Sequence, residues 1–148
     1  MKAKNEFRMT VDSRSVNEAF VRSAVATFSA QLDPTIEEIA DIKTAVSEAV
    51  TNCIVHAYPD TIGKIYINCE ITDNTLTVKI RDKGVGIENI AKAMEPLYTT
   101  AGEERAGLGF AVMQNFMDYV RVRSVVGRGT TVTMKKNIQV RYGSQKQR

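Results

Sequence analysis

Glu48 and Asn52 lie four residues apart in a segment with helical periodicity, a spacing that puts both side chains on one helix face. The carboxylate could accept a proton from an attacking hydroxyl, and the amide oxygen could contact a phosphate-bound Mg²⁺. Their neighbours on that face are Ala45, Ala49 and Val55. Since a solvated face normally carries Lys, Glu and Arg, the composition predicts that another group covers it. Two incidental polar residues are the alternative interpretation of the pair alone.

Three glycine-containing signals follow in order. Asp82-Lys83-Gly84-Val85-Gly86 ends a predicted strand, where a carboxylate could accept from an exocyclic amine such as that of adenine and glycines allow a ligand close to the backbone. Gly107-Leu108-Gly109 opens a predicted helix, whose free amides favour phosphate oxygens. Gly129-Thr130 lies in the last predicted hairpin. Each is also compatible with an ordinary turn, and their order together predicts an ATP site.

Composition excludes several other classes of function. The chain has one histidine, and Cys53 and Cys69 lack metal-ligand spacing, so we expect two buried, reduced thiols and no zinc. No P-loop or complete dinucleotide fingerprint is present. A net charge of +3 is too small to indicate direct nucleic-acid binding without a basic motif. No apolar stretch is long enough for a signal peptide or a membrane span, which predicts a soluble, cytoplasmic protein.

The elements that must position these residues follow from periodicity. The first half predicts a strand over Phe7–Val11 and two helices, which begin at capping boxes Ser15–Glu18 and Thr35–Glu38. The second helix runs to about His56. The first helix carries an apolar stripe at a spacing of four: Val16, Phe20, Ala24, Phe28 and Leu32.

The second half predicts two hairpins separated by two helices and a mobile loop. These segments are a hairpin of Lys64–Ile71 and Leu76–Arg81, a short helix over Ile87–Met94, the loop Thr99–Ala106, a helix over Leu108–Met117, and a hairpin of Tyr119–Val126 and Thr130–Met134. With 148 residues, the order predicts a single α/β domain: a two-layer sandwich with helices on one face of a mixed, mainly antiparallel sheet. A basic tail from about residue 137 is expected to be frayed.

Taken together, these stretches resemble the GHKL superfamily of ATP-binding domains with the Bergerat fold, which gyrase and the sensor histidine kinases share. The resemblance implies that Asn52 contacts Mg²⁺, that Asp82 binds adenine with support from Thr130, and that a lid closes over the phosphates of ATP or ADP. The residues it implies in nucleotide binding are Asn52, Asp82, Gly84, Gly86, Thr99, Arg105, Gly107, Leu108, Gly109 and Thr130.

Three stretches are more specifically similar to the anti-sigma-factor serine kinases of sporulating bacteria. They are Val46–Asn52, Pro96–Thr100 and Gly107–Phe110, within a similarity that covers Asn5 to about Lys136. That family binds a sigma factor with nucleotide bound and phosphorylates a serine of an anti-anti-sigma antagonist. The resemblance implies a homodimer, Glu48 as general base, and Arg22 as a contact to both protein partners.

Other functions compatible with the sequence use a different phosphate acceptor or involve no phosphotransfer to a protein. A detached sensor-histidine-kinase domain would need a separate acceptor histidine, and His56 lies one turn after Asn52 on the nucleotide helix itself. A nucleotide-gated inhibitor without transfer activity is the second alternative, against which Glu48 argues. Gyrase-like ATPases are disfavoured because we find no transducer segment. A stress-response anti-sigma kinase of the same family stays open, as do ordinary solvated-arginine interpretations of Arg22 and Arg105.

Overall fold

Five strands form one sheet in the computed structural model, which describes residues 4–95 and 109–139. Apolar residues alternate with polar ones along most strands, so one face of the sheet is buried and the other is open. The strands are β1 (Lys4–Asp12), β2 (Lys64–Thr72), β3 (Thr75–Asp82), β4 (Tyr119–Val125) and β5 (Gly129–Asn137), in the spatial order β1-β2-β3-β5-β4.

The helices cover one face of this sheet. They are α1 (Val16–Ser29), α2 (Ile36–Asn52), α3 (Ile90–Ala93) and α4 (Phe110–Phe116), with a 3₁₀ turn at Ala30–Leu32 and a π-helical segment at Cys53–Ala57. Helix α2 packs between α1 and α4. The predicted two-layer α/β sandwich is therefore confirmed, and both hairpins form where the alternation predicted them.

Every strand pairing in the described part of the chain is antiparallel, so the expected mixed component of the sheet is not found there. The connections explain this. Two helices separate β1 from β2, and the second helix returns the chain to the end where β1 finished. After α4, strand β4 runs parallel to β3, but β5 lies between them and pairs with both in the opposite direction.

Only one of the two predicted capping boxes forms. At α2, the Thr35 hydroxyl accepts from the Glu38 amide at 3.0 Å and the Glu38 carboxylate accepts from the Thr35 amide at 2.9 Å. At α1, Ser15 has helical dihedrals and makes no side-chain cap. Glu18 bonds the Arg22 guanidinium instead, at 2.9 Å from Nε. The charged partner one turn along is a stronger ligand for the carboxylate than a neutral amide.

The predicted apolar stripe of α1 is partly wrong. Val16 and Phe20 are 73% and 55% exposed, and the face that enters the core carries Val21 and Val25. A spacing of four drifts by about 40° per step on a helix of 3.6 residues per turn. Over four steps the stripe leaves the core face. At the other end Phe28 still reaches the core and packs edge-on against Phe7, with ring centroids 4.8 Å apart.

Several boundaries differ from the sequence-based expectation. Helix α3 begins at Ile90 rather than Ile87, because Asn89 is its N-cap and its Oδ1 accepts from the Lys92 amide at 3.0 Å. Strand β5 continues to Asn137 and Ile138 is buried, so ordered structure extends past the expected tail boundary of about 137. The loop Thr99–Ala106 lies outside the described residues.

Within residues 4–95 and 109–139, no helix has the length and hydropathy needed to span a membrane.

Candidate nucleotide site

Asp82 occupies an inward-facing position at the end of β3. The alternation that buries Leu76, Val78 and Ile80 continues to this carboxylate, which is only 6% exposed. The side chain therefore enters the space between the sheet and the helices, where an unpaired charge would be costly.

Backbone amides and a thiol satisfy that carboxylate. Oδ1 accepts from the Gly84 amide at 2.9 Å and from the Thr130 amide at 3.2 Å. Oδ2 accepts from Cys53 Sγ at 3.6 Å. A thiol is a weak donor, and a carboxylate oxygen accepts more than one hydrogen bond. Oδ2 consequently retains the capacity to accept from a ligand amine.

Val85, between Gly84 and Gly86, anchors the glycine loop after Asp82 to two other segments. The Val85 amide donates to Ala57 O at 3.0 Å, and Val85 O accepts from the Gly127 amide at 2.8 Å. Gly84 and Gly86 flank this residue. The loop therefore bridges the end of the π-helical segment and the β4–β5 turn, and its shape depends on both.

Thr130 belongs to a hydroxyl network that joins the last hairpin to the site. Its Oγ1 lies 2.7 Å from Ser124 Oγ, and its amide contacts Asp82. Ser124 Oγ also accepts from the Ile87 amide at 2.8 Å and lies 3.1 Å from Gly129 O. Ser124 was missed by the sequence analysis, although its cross-strand position opposite Thr130 was implicit in the predicted hairpin.

Glu48 lies on α2 against the start of α4. A Cβ built on Gly109 would meet the Glu48 carboxylate, which would then have to shift. Gly109 also has a left-handed φ of 72° at the N-cap of α4. The structure thus brings together two residues that the sequence placed in separate motifs.

The face of α2 around Glu48 differs from the expectation in one respect. Ala45 and Ala49 are buried in the core rather than open to a covering ligand. Ile36, the apolar first residue of α2, is 89% exposed. The core face of α2 is rotated accordingly, while Glu48 and Asn52 remain partly exposed at its edge.

The helical register changes immediately after Asn52. Cys53–Ala57 is π-helical, a form that occurs mostly as short bulges and frequently at functional sites. The segment contains His56, and it places Cys53 against Asp82. Helical periodicity gave no signal for this change, since it assumes 3.6 residues per turn throughout.

Tyr58 lies behind the glycine loop, and the sequence pattern gave it no role in the site. Its hydroxyl donates to Lys64 O at 2.7 Å and accepts from the Lys83 amide at 2.7 Å. Burial is the main reason that the pKa of Tyr58 is raised. The neutral hydroxyl therefore holds the start of β2 and the residue after Asp82 together.

Both cysteines are free and buried, as expected. Burial raises the pKa of Cys53 well above its usual range, and the nearby Asp82 charge raises it further. Burial alone raises the pKa of Cys69 to about 12. Cys53 is therefore a neutral donor to Asp82 at physiological pH.

Several expected site residues cannot be placed. Thr99, Arg105, Gly107 and Leu108 lie outside the described residues. Arg22 lies on α1, where it pairs with Glu18 and is about one third exposed. No hydrogen bond found between described residues links it to Asp82, in keeping with a separate role.

The arrangement fits a nucleotide that carries its own metal ion. Oδ2 of Asp82 suits an adenine amine. Residues 4–95 and 109–139 contain no convergence of three His, Cys, Asp or Glu side chains that could hold a metal alone. Mg²⁺ commonly binds through substrate phosphates and one or two protein oxygens. The Asn52 amide oxygen has the chemistry for that contact.

Comparisons with known proteins agree with this geometry. Residues 10–136 match the family described as Histidine kinase-like ATPase domain. An anti-sigma F factor of Caldanaerobacter subterraneus subsp. tengcongensis is 58% identical over 139 residues, which cover 93% of this chain and 97% of that protein.

Two solved structures share the fold. The RsbU and RsbW domains of a Mycobacterium tuberculosis protein superpose with a TM-score of 0.65 at 20% identity, over 90% of this chain and 32% of that one. The catalytic domain of the histidine kinase ThkA superposes with a TM-score of 0.56 at 14% identity, over 88% and 96%.

Proposed function

The chain belongs to the histidine kinase-like ATPase domain family and, within it, to the anti-sigma F factors. From this membership we propose the following function and the role of each site residue. It binds ATP or ADP with Mg²⁺ and holds a sporulation sigma factor inactive while nucleotide is bound. It also phosphorylates a serine of an anti-anti-sigma protein. It acts as a homodimer in the cytoplasm.

Asp82 recognises the base in this proposal. Its Oδ2 accepts from the adenine amine, while two backbone amides hold Oδ1 and fix the carboxylate in place. Gly84, Gly86 and Thr130 shape the adenine pocket. Asn52 contacts the phosphate-bound Mg²⁺, which would neutralise phosphate charge.

Glu48 is the general base for transfer. The serine hydroxyl proton passes to the Glu48 carboxylate as serine Oγ attacks the γ-phosphorus. The bond from that phosphorus to the β–γ bridging oxygen breaks, and ADP leaves. The closeness of Glu48 to Gly109 is the single observation that carries this assignment, because it puts a carboxylate beside the helix N-terminus predicted to face phosphate. Arg105, Gly107, Leu108 and Thr99 complete the phosphate contacts.

A phosphotransfer assay tests the proposal. With radiolabelled ATP and a purified anti-anti-sigma protein, we expect Glu48→Gln to bind Mg-ATP normally and to transfer about 10²-fold more slowly, as for loss of a general base. Glu37→Gln is the matched control, since Glu37 is an exposed carboxylate in the first turn of the same helix. Wild-type rates in Glu48→Gln would remove Glu48 as the base. No transfer by the wild type would favour a nucleotide-gated inhibitor.

A further inference from the structure

The open face of the sheet carries a basic groove that the nucleotide site does not use. It encloses about 590 Å³ and is lined by outward-facing residues of four strands. These are Asn68, Glu70, Thr77, Lys79, Tyr119, Arg121, Arg123, Thr131, Thr133 and Lys135. Four are cations and one is a carboxylate, so the lining has a formal charge of +3, equal to that of the whole chain.

The cations of the groove are available for a ligand. Lys79, Arg121, Arg123 and Lys135 are exposed, and none has an ion-pair partner among the described residues. The one carboxylate, Glu70, lies 3.6 Å from Lys4. The positive charge is therefore not balanced within the described part of the fold.

The strand register arranges three of these cations, together with the neighbouring Arg81, in two columns. Lys79 and Arg81 on β3 lie on one side of Thr133 and Thr131 of β5, and Arg121 and Arg123 of β4 lie on the other. Cations within a column are two residues apart, about 6.8 Å, and the columns are about 9.6 Å apart. An extended polypeptide repeats its side chains at the same interval of about 6.8 Å.

We propose that this groove binds an extended acidic segment of a protein partner in which Asp or Glu occurs at every second residue. The carboxylates pair with the two cation columns, and the threonine column supplies hydroxyl donors beneath the chain. This surface is separate from Asp82, so the proposal stands independently of nucleotide binding.

Two observations favour a polypeptide over a single-stranded nucleic acid. The aromatic rings on this face already contact cations: Arg81 lies 4.5 Å from the Tyr66 centroid, and Lys135 lies 5.5 Å from that of Tyr119. Base stacking would have to displace them. In addition, the buried Asn68 Oδ1 in the groove has no donor within the described structure. A peptide backbone supplies N–H donors, whereas a phosphodiester backbone has none.

The chain itself cannot supply this segment. No two Asp or Glu residues of the sequence are two positions apart, so neither this chain nor a second copy offers the alternating acidic pattern. The occupant is therefore a different protein.

Peptide binding tests the proposal directly. We would measure fluorescence anisotropy of a labelled ten-residue peptide of alternating Glu and Thr. The comparison probes are a peptide of equal composition with contiguous Glu, and a thymidine oligonucleotide of equal charge. We expect the alternating peptide to bind at least about tenfold more tightly than either, with affinity that falls as salt rises.

Two double variants distinguish a specific peptide-binding site from general electrostatic attraction. Arg121→Gln with Arg123→Gln should weaken binding of the alternating peptide about tenfold or more. Arg14→Gln with Lys43→Gln removes the same charge elsewhere and should not. Urea unfolding confirms that both variants fold. Equal losses in the two variants, equal binding of the contiguous peptide, tighter binding of the oligonucleotide, or no peptide binding would each overturn the proposal.

Discussion

The inward-facing position of Asp82 in the alternation of β3 determines which groups its carboxylate contacts. Because it continues the inward series of β3, the carboxylate at the end of this central strand is buried. Its three donors come from the glycine loop, from β5 and from the first residue of the π-helical segment. Three segments far apart in sequence therefore depend on one carboxylate, which also faces the proposed adenine position.

We expect Asp82→Asn to abolish adenine-nucleotide binding while the fold survives. The amide keeps one oxygen for the Gly84 and Thr130 amides, so the loop remains anchored. The new NH₂ replaces the acceptor that the base amine requires. Calorimetric titration with ADP measures the loss, thermal unfolding checks the fold, and Asp60→Asn is an exposed control. ADP affinity equal to that of the wild type would contradict the assignment of Asp82.

At the scale of elements, the β4–β5 turn determines the position of Thr130. Gly129 has φ of 126°, and a Cβ there would collide with Asp82 O. Gly127 in the same turn has φ of 82°, but the space around its missing Cβ is open. A substitution at Gly127 therefore tests backbone strain alone, whereas one at Gly129 tests strain together with a collision with Asp82.

Replacing each glycine with alanine should reveal that difference. Gly127→Ala should destabilise by about 1 kcal/mol, the cost of a left-handed residue that is not glycine. Gly129→Ala should cost about 3 kcal/mol and also weaken ADP binding, because Asp82 must move. Urea unfolding and ADP titration measure both effects. Similar costs for the two variants would mean that the turn can relax without moving Asp82.

Helix α1 leaves Val16 and Phe20 largely exposed, on the side of the helix away from Arg22. Their spacing of four predicts that both residues face the core, so their exposure is a finding of the structure. Large exposed apolar residues are typical of protein interfaces, but these two do not bear on the proposed contact through Arg22.

Arg22→Glu should weaken binding of both the sigma factor and the antagonist by about 2 kcal/mol or more, if the arginine is an interface anchor. Stability should fall by only about 0.5 kcal/mol, since Glu18 then faces a like charge one turn away. Arg14→Glu makes the same charge change outside α1. Affinities of both partners for immobilised variants decide the question. Unchanged binding of both would exclude Arg22, and lost ADP binding would indicate misfolding.

At the scale of the whole molecule, the two faces of the sheet differ in what they contact. The inner face packs on the helices and buries both cysteines, and Lys136 ties β5 to α2 and α4 by contacting Asp41 at 3.1 Å and Phe116 O at 2.7 Å. The open face presents the basic groove. Nucleotide chemistry and acidic-segment binding can therefore change independently.

Buried thiols predict a loss of stability at alkaline pH. The pKa of Cys69 is about 12 in the fold and roughly 8.5 when unfolded, so above pH 8.5 only the unfolded chain loses that proton. Its stabilising contribution is present below the unfolded pKa and falls as pH rises. We expect a loss of about 1 kcal/mol between roughly pH 8.5 and 9.5 from this thiol. Urea unfolding should show that Cys69→Val removes this part of the slope. An unchanged slope would refute the assignment.

The sequence by itself determined the element order, the hairpins, the α2 capping box and the sequence positions of the site motifs. These depend on local physics: side-chain alternation, helical period and turn chemistry act over a few residues. The family resemblance, carried by ordered motifs, added Asn52, Asp82 and Thr130, and the comparisons confirm the family.

The tertiary structure alone decided which side chains meet. The contacts of Cys53 with Asp82 and of Glu48 with Gly109 join residues that are distant in sequence. The exposed apolar face of α1 and the two cation columns depend on how helices rotate against the sheet and on strand register. Local patterns leave these open, because helix rotation and strand order are fixed only when the whole core packs together.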